Sequence, residues 1–572
     1  MYKKKNGLSL FFNFLAFSLV IAAFIFISWG LKEMTQPLNT LTLDPVSLEY
    51  SNLIGYSFRT LLRMMIAMVI SLIFTLIYAT LAAKNPKLEQ ILIPLLDILQ
   101  SVPILGYISF TVTAFLALFP SSIMGAECAA IFAIFTSQVW NMIFSCYQSF
   151  KTVPAELNDA ASIFKMSGWR KFWQIEVPFA IPSLVWNMVV SMSSSWFFVV
   201  ASEVIMVGNN KITLPGIGSY IYLAIGQQNT AAILYAVLAM SLIIILYDQL
   251  LLRPLIVWSD RFRYETSTGI KATYSWVLTI FQRSIIVKKI FSPLIYVAEF
   301  LLYFPLFNGV NNLAVNTPEI TENNRNKLWL NYLWYFILIV SGAVALFYIG
   351  SFLRNIGWHE IVKVFILASI TLLRIIVLII LASLFWVPIG IYIGLRPRLT
   401  AIIQPFTQFF AAFPINLLFP IVFIIITKYD LNPNIWLSPL MIMGTQWYIL
   451  FNVIVGVSSL PSELKDATKI LNVKGLEWWK EVMLPAITPY FIVGSITACG
   501  GAWNASIVAE VINFGDQKIV AKGLGSYIAE MTVAADFNKI ILGVGMMSLF
   551  VVLINRLFWQ PINEYSNKRF QL

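Results

Sequence analysis

The sequence predicts an all-α polytopic membrane protein, with six plus six transmembrane helices in a tandem, pseudo-twofold repeat. Three observations predict it. Of 572 residues, 59% are hydrophobic and only 11% are charged, against about 25% charged in an ordinary soluble domain. Twelve stretches carry no Asp, Glu, Lys or Arg over lengths that suit membrane crossing. The second half also repeats the order of the first. A large soluble enzyme is excluded because it lacks the charge to cover its surface. The formal charge of +11 does not imply a nucleic-acid partner, since such chains are far richer in charge.

The charge-free stretches of the first half are 6–31, 64–83, 98–126, 128–150, 177–202 and 212–247; those of the second are 328–353, 375–395, 399–427, 431–462, 482–509 and 540–555. The first follows Lys3, Lys4 and Lys5. It is too long for a signal peptide and lacks a small-residue cleavage site, so it reads as a retained anchor. With the N-terminus inside, most of the 38 lysines and arginines fall on the cytoplasmic side, and the C-terminus is cytoplasmic too.

Three units follow: a first six-span unit at 1–252, a linker at 253–327 and a second six-span unit at 328–572. Arg283, Lys288 and Lys289 interrupt the moderately apolar stretch 274–307. It is too short for two crossings, and one crossing would invert the second half. Helices lying on the cytoplasmic membrane surface are expected instead.

The repeat has two offsets. At 311, Thr60, Arg63, Pro86, Pro94 and Pro103 fall on Thr371, Arg374, Pro397, Pro405 and Pro414. At 307, the matches run from Trp140 onto Trp447 as far as Pro254 onto Pro561, with Trp196, Glu203, Gly216 and Gly218 meeting Trp503, Glu510, Gly523 and Gly525. An even number of spans per unit gives both copies the same orientation. The pseudo-twofold axis then runs along the membrane normal and lines a central path with equivalent residues.

Between spans four and five each copy carries an amphipathic loop, 152–180 and 459–487. Pro154 and Pro461 suit a helix start, with Glu156, Asp159, Glu463 and Asp466 placed early in that helix. Ala160, Ala161 and Ala467 offer a low surface to a partner, and Gly168 and Gly475 are candidates for the following turn.

Asp159-Ala160-Ala161 with Ile175-Glu176-Val177-Pro178, and Asp466-Ala467-Thr468 with Val482-Met483-Leu484-Pro485, resemble the EAA loop of ABC importer permeases. The family's usual glycine, six residues after the acid, is replaced by Lys165 and Asn472. Trp196…Ala201-Ser202-Glu203-Val204-Ile205…Gly216-Ile217-Gly218, its second copy at Trp503…Gly525, and Leu61-Leu62-Arg63 with Leu372-Leu373-Arg374 are similar to the nitrate/sulfonate/taurine-type permeases. The resemblance covers about 57–260 and 368–570 and implies two permease units fused in one chain, with a type I ABC importer-like fold.

It also implies partners. Two ABC ATPase subunits would dock on the loops at the cytoplasmic face. A periplasmic or lipid-anchored binding protein would deliver a small solute such as nitrate, sulfonate, taurine or bicarbonate. ATP and Mg would be used by the ATPases, with no cofactor on this chain. No Gly-Lys dipeptide occurs anywhere, so the phosphate-binding loop ending Gly-Lys-Ser/Thr is absent. The expected location is the bacterial inner membrane. The alternative is a twelve-span secondary transporter not driven by ATP, which needs coupling charges inside the spans but not the paired loops.

Arg63 and Arg374 are candidates for the translocation path, because an intramembrane charge is costly and a guanidinium suits an oxyanion; reaching the headgroups is the other reading. Glu203 and Glu510 are candidates to pair with an arginine, cap a backbone segment or line the path, with a structural or gating ion pair favoured, and Trp196 and Trp503 are expected as packing or gate residues. Ser193, Ser194 and Ser195 stand opposite Gly500, Gly501 and Ala502, small enough for close packing or for a pore. With His359 as the single histidine and Cys128, Cys146 and Cys499 scattered in apolar sequence, no catalytic or metal site is expected.

Overall fold

In a computed structural model, the described residues are 2–37, 46–262 apart from 121, 208 and 209, 275–285, and 347–570 apart from 459, 461–463, 465, 466, 469 and 516, with a few isolated positions in 289–344. Glu463 and Asp466 lie outside them, as does most of 253–327.

The described residues are overwhelmingly helical. Eight helices are long and apolar enough to cross a membrane: Phe12–Met34, Tyr50–Lys84, Met124–Lys151, Gly168–Ser202, Thr230–Phe262, Trp358–Gly394, Gly475–Ala509 and Phe537–Ser566. Two bent pairs bring the number to ten: Pro397–Ala412 with Ile415–Lys428, bent by 79°, and Pro433–Met443 with Trp447–Ser458, bent by 42°. Expected span 328–353 falls largely outside the described residues. Expected span 98–126 is divided: helices Pro86–Ser101 and Ile104–Leu118 meet at Val102 and Pro103, where proline supplies no N–H to continue the helix.

Two expected boundaries move. The charge-free stretch 64–83 is the end of a longer helix, Tyr50–Lys84. Charge counting stopped at Arg63, but that arginine is paired inside the protein and so sits within the helix. The stretch 212–247 is not one span. It comprises the end of a hairpin, the short helix Ile217–Gly226 and the long helix Thr230–Tyr247. The latter runs on through Phe262, past the expected unit boundary at 252.

Each copy places its hairpin at the same point. Strands Val204–Val207 and Asn210–Thr213 pair antiparallel, as do Val511–Phe514 and Gln517–Val520. Both hairpins follow a long helix, Val177–Ser202 or Leu484–Ala509, that starts at the amphipathic loop. They therefore sit at the end of the bundle away from the loops. The two halves meet along much of their length: Ile104 N–H donates to Asn504 Oδ1 at 2.9 Å, Gly515 N–H to the Ile225 carbonyl at 3.1 Å, and Trp186 stacks on Phe451 with ring centroids 5.5 Å apart.

Within the linker, helix Trp276–Arg283 packs its Ile280 against Ala16 of the first helix. Ser284 Oγ donates to Asn13 Oδ1 at 3.0 Å, and the Arg283 guanidinium lies over the Phe12 ring. This short helix is bound to the flank of the first helix.

Candidate functional site: two buried clamps and a central cavity

At the hairpin end of each half, a glutamate ties a span to the hairpin and to the short helix behind it. In the first copy Arg63 is fully buried. Its Nε and Nη2 donate to both oxygens of Glu127 at 2.6 and 2.7 Å, its Nη1 to Glu203 Oε1 at 2.7 Å, and its Nη2 also to the Pro215 carbonyl at 3.0 Å. Thr60 Oγ1 donates to the same Glu203 oxygen at 2.6 Å, and Gly218 N–H donates to the other at 2.6 Å. The carboxylate thus satisfies the Gly218 N–H at the start of helix Ile217–Gly226 while Thr60 Oγ1 accepts from the Ile217 N–H, and a negative charge there interacts favourably with the helix dipole.

The glycines of this clamp serve close approach. A Cβ on Gly216 would stand 2.2 Å from the Glu203 carboxyl carbon, and one on Gly218 would stand 2.2 Å from the Val200 carbonyl oxygen. Gly523 and Gly525 meet Glu510 and Ser506 in the same way, at 2.1 and 2.3 Å.

The second clamp has the same plan with weaker pairing. Thr371 Oγ1 donates to Glu510 Oε1 at 2.8 Å, and Ser526 N–H to Glu510 Oε2 at 2.9 Å. Arg374 reaches Glu510 and Asn434 Oδ1, each at 3.2 Å. Offset 307 carries Glu127 onto Asn434. The first cluster therefore holds two carboxylates per arginine and the second holds one. Sequence reasoning missed Glu127, Asn434 and the clamp role of Thr60 and Thr371. Glu127 separates the charge-free stretches 98–126 and 128–150, and its signal is an acid isolated in some fifty uncharged residues.

The four charged candidates, Arg63, Arg374, Glu203 and Glu510, are bound in these clamps and do not line the cavity between the halves. That cavity has a volume of about 230 Å³. The first half contributes Gln100, Thr136, Ser137, Asn141, Ser193 and Ser194, and the second contributes Thr445, Tyr448, Thr497, Gly500, Gly501 and Asn504. The small-residue run is thus where the two halves leave space. Trp503 lines this cavity, whereas Trp196 packs edge-on against Tyr247 in the core of the first half.

The loops place their residues unevenly. In helix Ala155–Ile163, Glu156 and Asp159 are exposed, Ala160 is half-buried and Ala161 is buried within the protein. Ala161 is therefore unavailable to a partner. Ala467 is half-buried. Both loop helices end on matched exposed apolar pairs, Ile163-Phe164 and Ile470-Leu471, which were not singled out from sequence.

The turn itself stays at the expected glycine position. Lys165 and Asn472 take φ of 48° and 54°. In the first loop Lys165 N–H bonds the Ser162 carbonyl and Met166 N–H the Ala161 carbonyl, both at 3.0 Å; in the second, Val473 N–H bonds the Thr468 carbonyl at 3.1 Å. This is the Schellman helix ending, which ordinarily uses glycine. Gly168 does not take a left-handed turn; it begins the next helix, capped by Ser167. Gly475, at φ 63°, adds a second left-handed residue in the other loop.

These features define a duplicated helical membrane protein, locked at one end of each half and open between the halves. Two segments, 71–252 and 386–559, match the model of the family "Binding-protein-dependent transport system inner membrane component". They cover more than half of the chain, and the protein belongs to that family. Among curated proteins it is similar to the bicarbonate transport system permease protein CmpB of Synechococcus elongatus, at 26% identity over 169 residues, 30% of this chain and 56% of that protein. It is similar to the nitrate import permease protein NrtB of Leptolyngbya laminosa, at 25% over 161 residues, 28% of this chain and 53% of that protein. A probable ABC transporter permease protein of Brucella melitensis is 25% identical over 168 residues, 29% of this chain and 64% of that protein. The matches span little more than half of the length of these relatives.

Proposed function

We propose that this chain is the fused transmembrane subunit of an ATP-driven importer in a bacterial inner membrane, forming the path for a small oxyanion. The observation that carries the reading is the pairing of two family units around one cavity. The class of solute is drawn from relatives named for bicarbonate and nitrate; sulfonate and taurine belong to the same class.

In this reading both termini and the loops 152–180 and 459–487 face the cytoplasm. Two ABC ATPase subunits bind Glu156, Asp159 and the apolar pair Ile163-Phe164, together with the corresponding second loop. ATP and Mg belong to those subunits; this chain contributes the path and the docking surface, without catalysis. Helix Gly168–Ser202 runs unbroken from the first loop to the first clamp, with one widened turn at Phe172–Glu176. A push at the loop therefore reaches the far end, where the clamps keep hairpin and short helix attached to their spans. Each half rocks as a unit, and the cavity between them changes its access. A periplasmic or lipid-anchored binding protein delivers the solute at the hairpin end.

The test is purification of the chain co-expressed with an ABC ATPase from the same organism, followed by uptake into proteoliposomes. Charge reversal at Glu156 and Glu463 is expected to abolish co-purification and uptake together. A chain that binds no ATPase, or transports normally with both loops reversed, contradicts the reading.

A further inference from the structure

The wall of the central cavity carries one formal charge. Among the described residues that line it, Asp97 is the only acid, and no lysine, arginine or histidine joins it. The rest of the wall offers an anion little. The hydroxyls of Thr136, Ser193, Ser194, Thr445 and Thr497 donate to carbonyls of their own helices, which leaves lone pairs for the cavity. The indole N–H groups of Trp503 and Trp559 turn to the Cys499 thiol. An oxyanion in this space meets a carboxylate and no cation, and like charges repel strongly where water is scarce.

Asp97 marks the loop side of this cavity. Earlier on its helix, Glu89 pairs with Lys151 at the loop end of helix Met124–Lys151. Later on it, Gln100 Nε2 donates at 3.4 Å to Asn141 Oδ1 of the cavity wall. Beside Asp97 lies a small recess walled by Asn555 and Arg556 of the second half. Asn555 also lines the cavity; Arg556 does not and is exposed, yet its charge acts on the Asp97 carboxylate. This seam therefore passes from negative potential at the cavity wall to positive just outside it. The opposite seam has no such step. Offset 311 carries Asp97 onto Gln408, and offset 307 carries Gln249 onto Arg556; neither glutamine lines the cavity. Asp248, next to Gln249, takes a bond from Arg253 of its own half at 3.0 Å.

We propose that Asp97 and Arg556 form a one-sided exit for the anion: the carboxylate expels it from the cavity, and the guanidinium draws it out on the loop side. The proposal rests on the permease reading above and assigns both residues to release rather than to capture. A charge inside a membrane is costly and marks function. Here the function is direction. An importer must discharge its cargo into a compartment where that cargo accumulates. Asp97 keeps returning anions from occupying the cavity and stalling the next cycle, while Arg556 screens part of that repulsion at the mouth.

The experiment uses the full transporter with its ATPase and binding protein, in proteoliposomes whose lumen faces the loops and holds ATP. Uptake of labelled nitrate or bicarbonate is measured against graded amounts of the same unlabelled anion in the lumen. Asp97→Asn should lower the lumenal concentration that halves uptake by roughly tenfold, the effect of one nearby charge in a partly screened interior. Arg556→Gln should move that concentration the other way. The charge swap, Asp97→Arg with Arg556→Asp, keeps a pair but reverses the step, and should be inhibited at least as easily as Asp97→Asn. A pair that only holds the halves together would shift both single variants in the same direction and would be rescued by the swap. The two single variants decide the matter if the swap fails to fold. Shifts in the same direction, no shift, or rescue by the swap overturns the exit and leaves the permease reading standing. No ATP-driven uptake of either anion by the unsubstituted complex overturns the reading of the solute, and this exit with it.

Discussion

The two clamps differ in one residue, and that difference sets unequal costs for the same substitution. Arg63 is fully buried and makes three bonds to two carboxylates, at 2.6–2.7 Å. Arg63→Met leaves Glu127 and Glu203 buried without their countercharge. Removing one partner of a buried ion pair costs about 3–5 kcal/mol, and two stranded carboxylates put this case at the upper end. Arg374 makes one carboxylate bond and one amide bond, both at 3.2 Å, with 13% of its side chain exposed. Arg374→Met should cost less, about 3 kcal/mol, because it strands one buried carboxylate rather than two and Glu510 keeps its bonds from Thr371 and Ser526.

The assay is thermal denaturation in nanodiscs at one scan rate, since membrane proteins of this size unfold irreversibly and only matched conditions compare. Arg63→Met is expected to lower the midpoint more than Arg374→Met. Glu127→Gln, which reproduces the charge of the second clamp, should cost less than Arg63→Met. Adding it to Arg63→Met should recover part of the loss. Equal midpoints for the two arginine variants, or no recovery in the double variant, would refute the reasoning.

Three further outcomes follow from the same geometry. Gly216→Ala and Gly523→Ala drive a methyl group into the Glu203 and Glu510 carboxylates and should each destabilise by at least the roughly 1–3 kcal/mol of an overpacked core, read as the same midpoint. Lys165→Gly relieves a left-handed lysine worth about 1 kcal/mol and should raise the midpoint more than Asn472→Gly does, since asparagine tolerates that conformation better. At Glu89, hydrogen bonds from the Lys151 ammonium and the Tyr147 hydroxyl hold the carboxyl below its ordinary value. Its folded pKa is depressed, so its contribution is complete above the ordinary carboxylate range of about 4.3 and is lost as pH falls below it. Glu89→Gln should flatten that acidic limb of stability against pH.

Much of this architecture is legible in the sequence because burial in lipid permits few alternatives to an apolar helix. The pairings Thr60–Thr371, Arg63–Arg374, Glu203–Glu510 and Gly216–Gly523 come from self-comparison, and the structure gathers each set into one clamp. Charge counting misplaces what it cannot see as paired. Arg63 closes a span on paper but lies inside a helix, because Glu127 and Glu203 neutralise it across 64 and 140 residues of sequence. The hairpins fall in the gaps after the expected spans 177–202 and 482–509, save for Ile212 and Thr213, and no strand is legible in those gaps because each strand has only four residues. Gly168 is the residue whose freedom suggests the turn, yet helix-end hydrogen bonds hold Lys165 in the left-handed conformation against its own preference.

The central claim is that two fused permease halves carry a solute along one path driven by an external ATPase. Uptake of labelled bicarbonate and nitrate into proteoliposomes holding this chain, its ATPase and its binding protein tests it most directly. The account predicts uptake that requires ATP hydrolysis and the binding protein and persists when proton and sodium gradients are collapsed. Uptake that continues without ATP and stops with those gradients would contradict it.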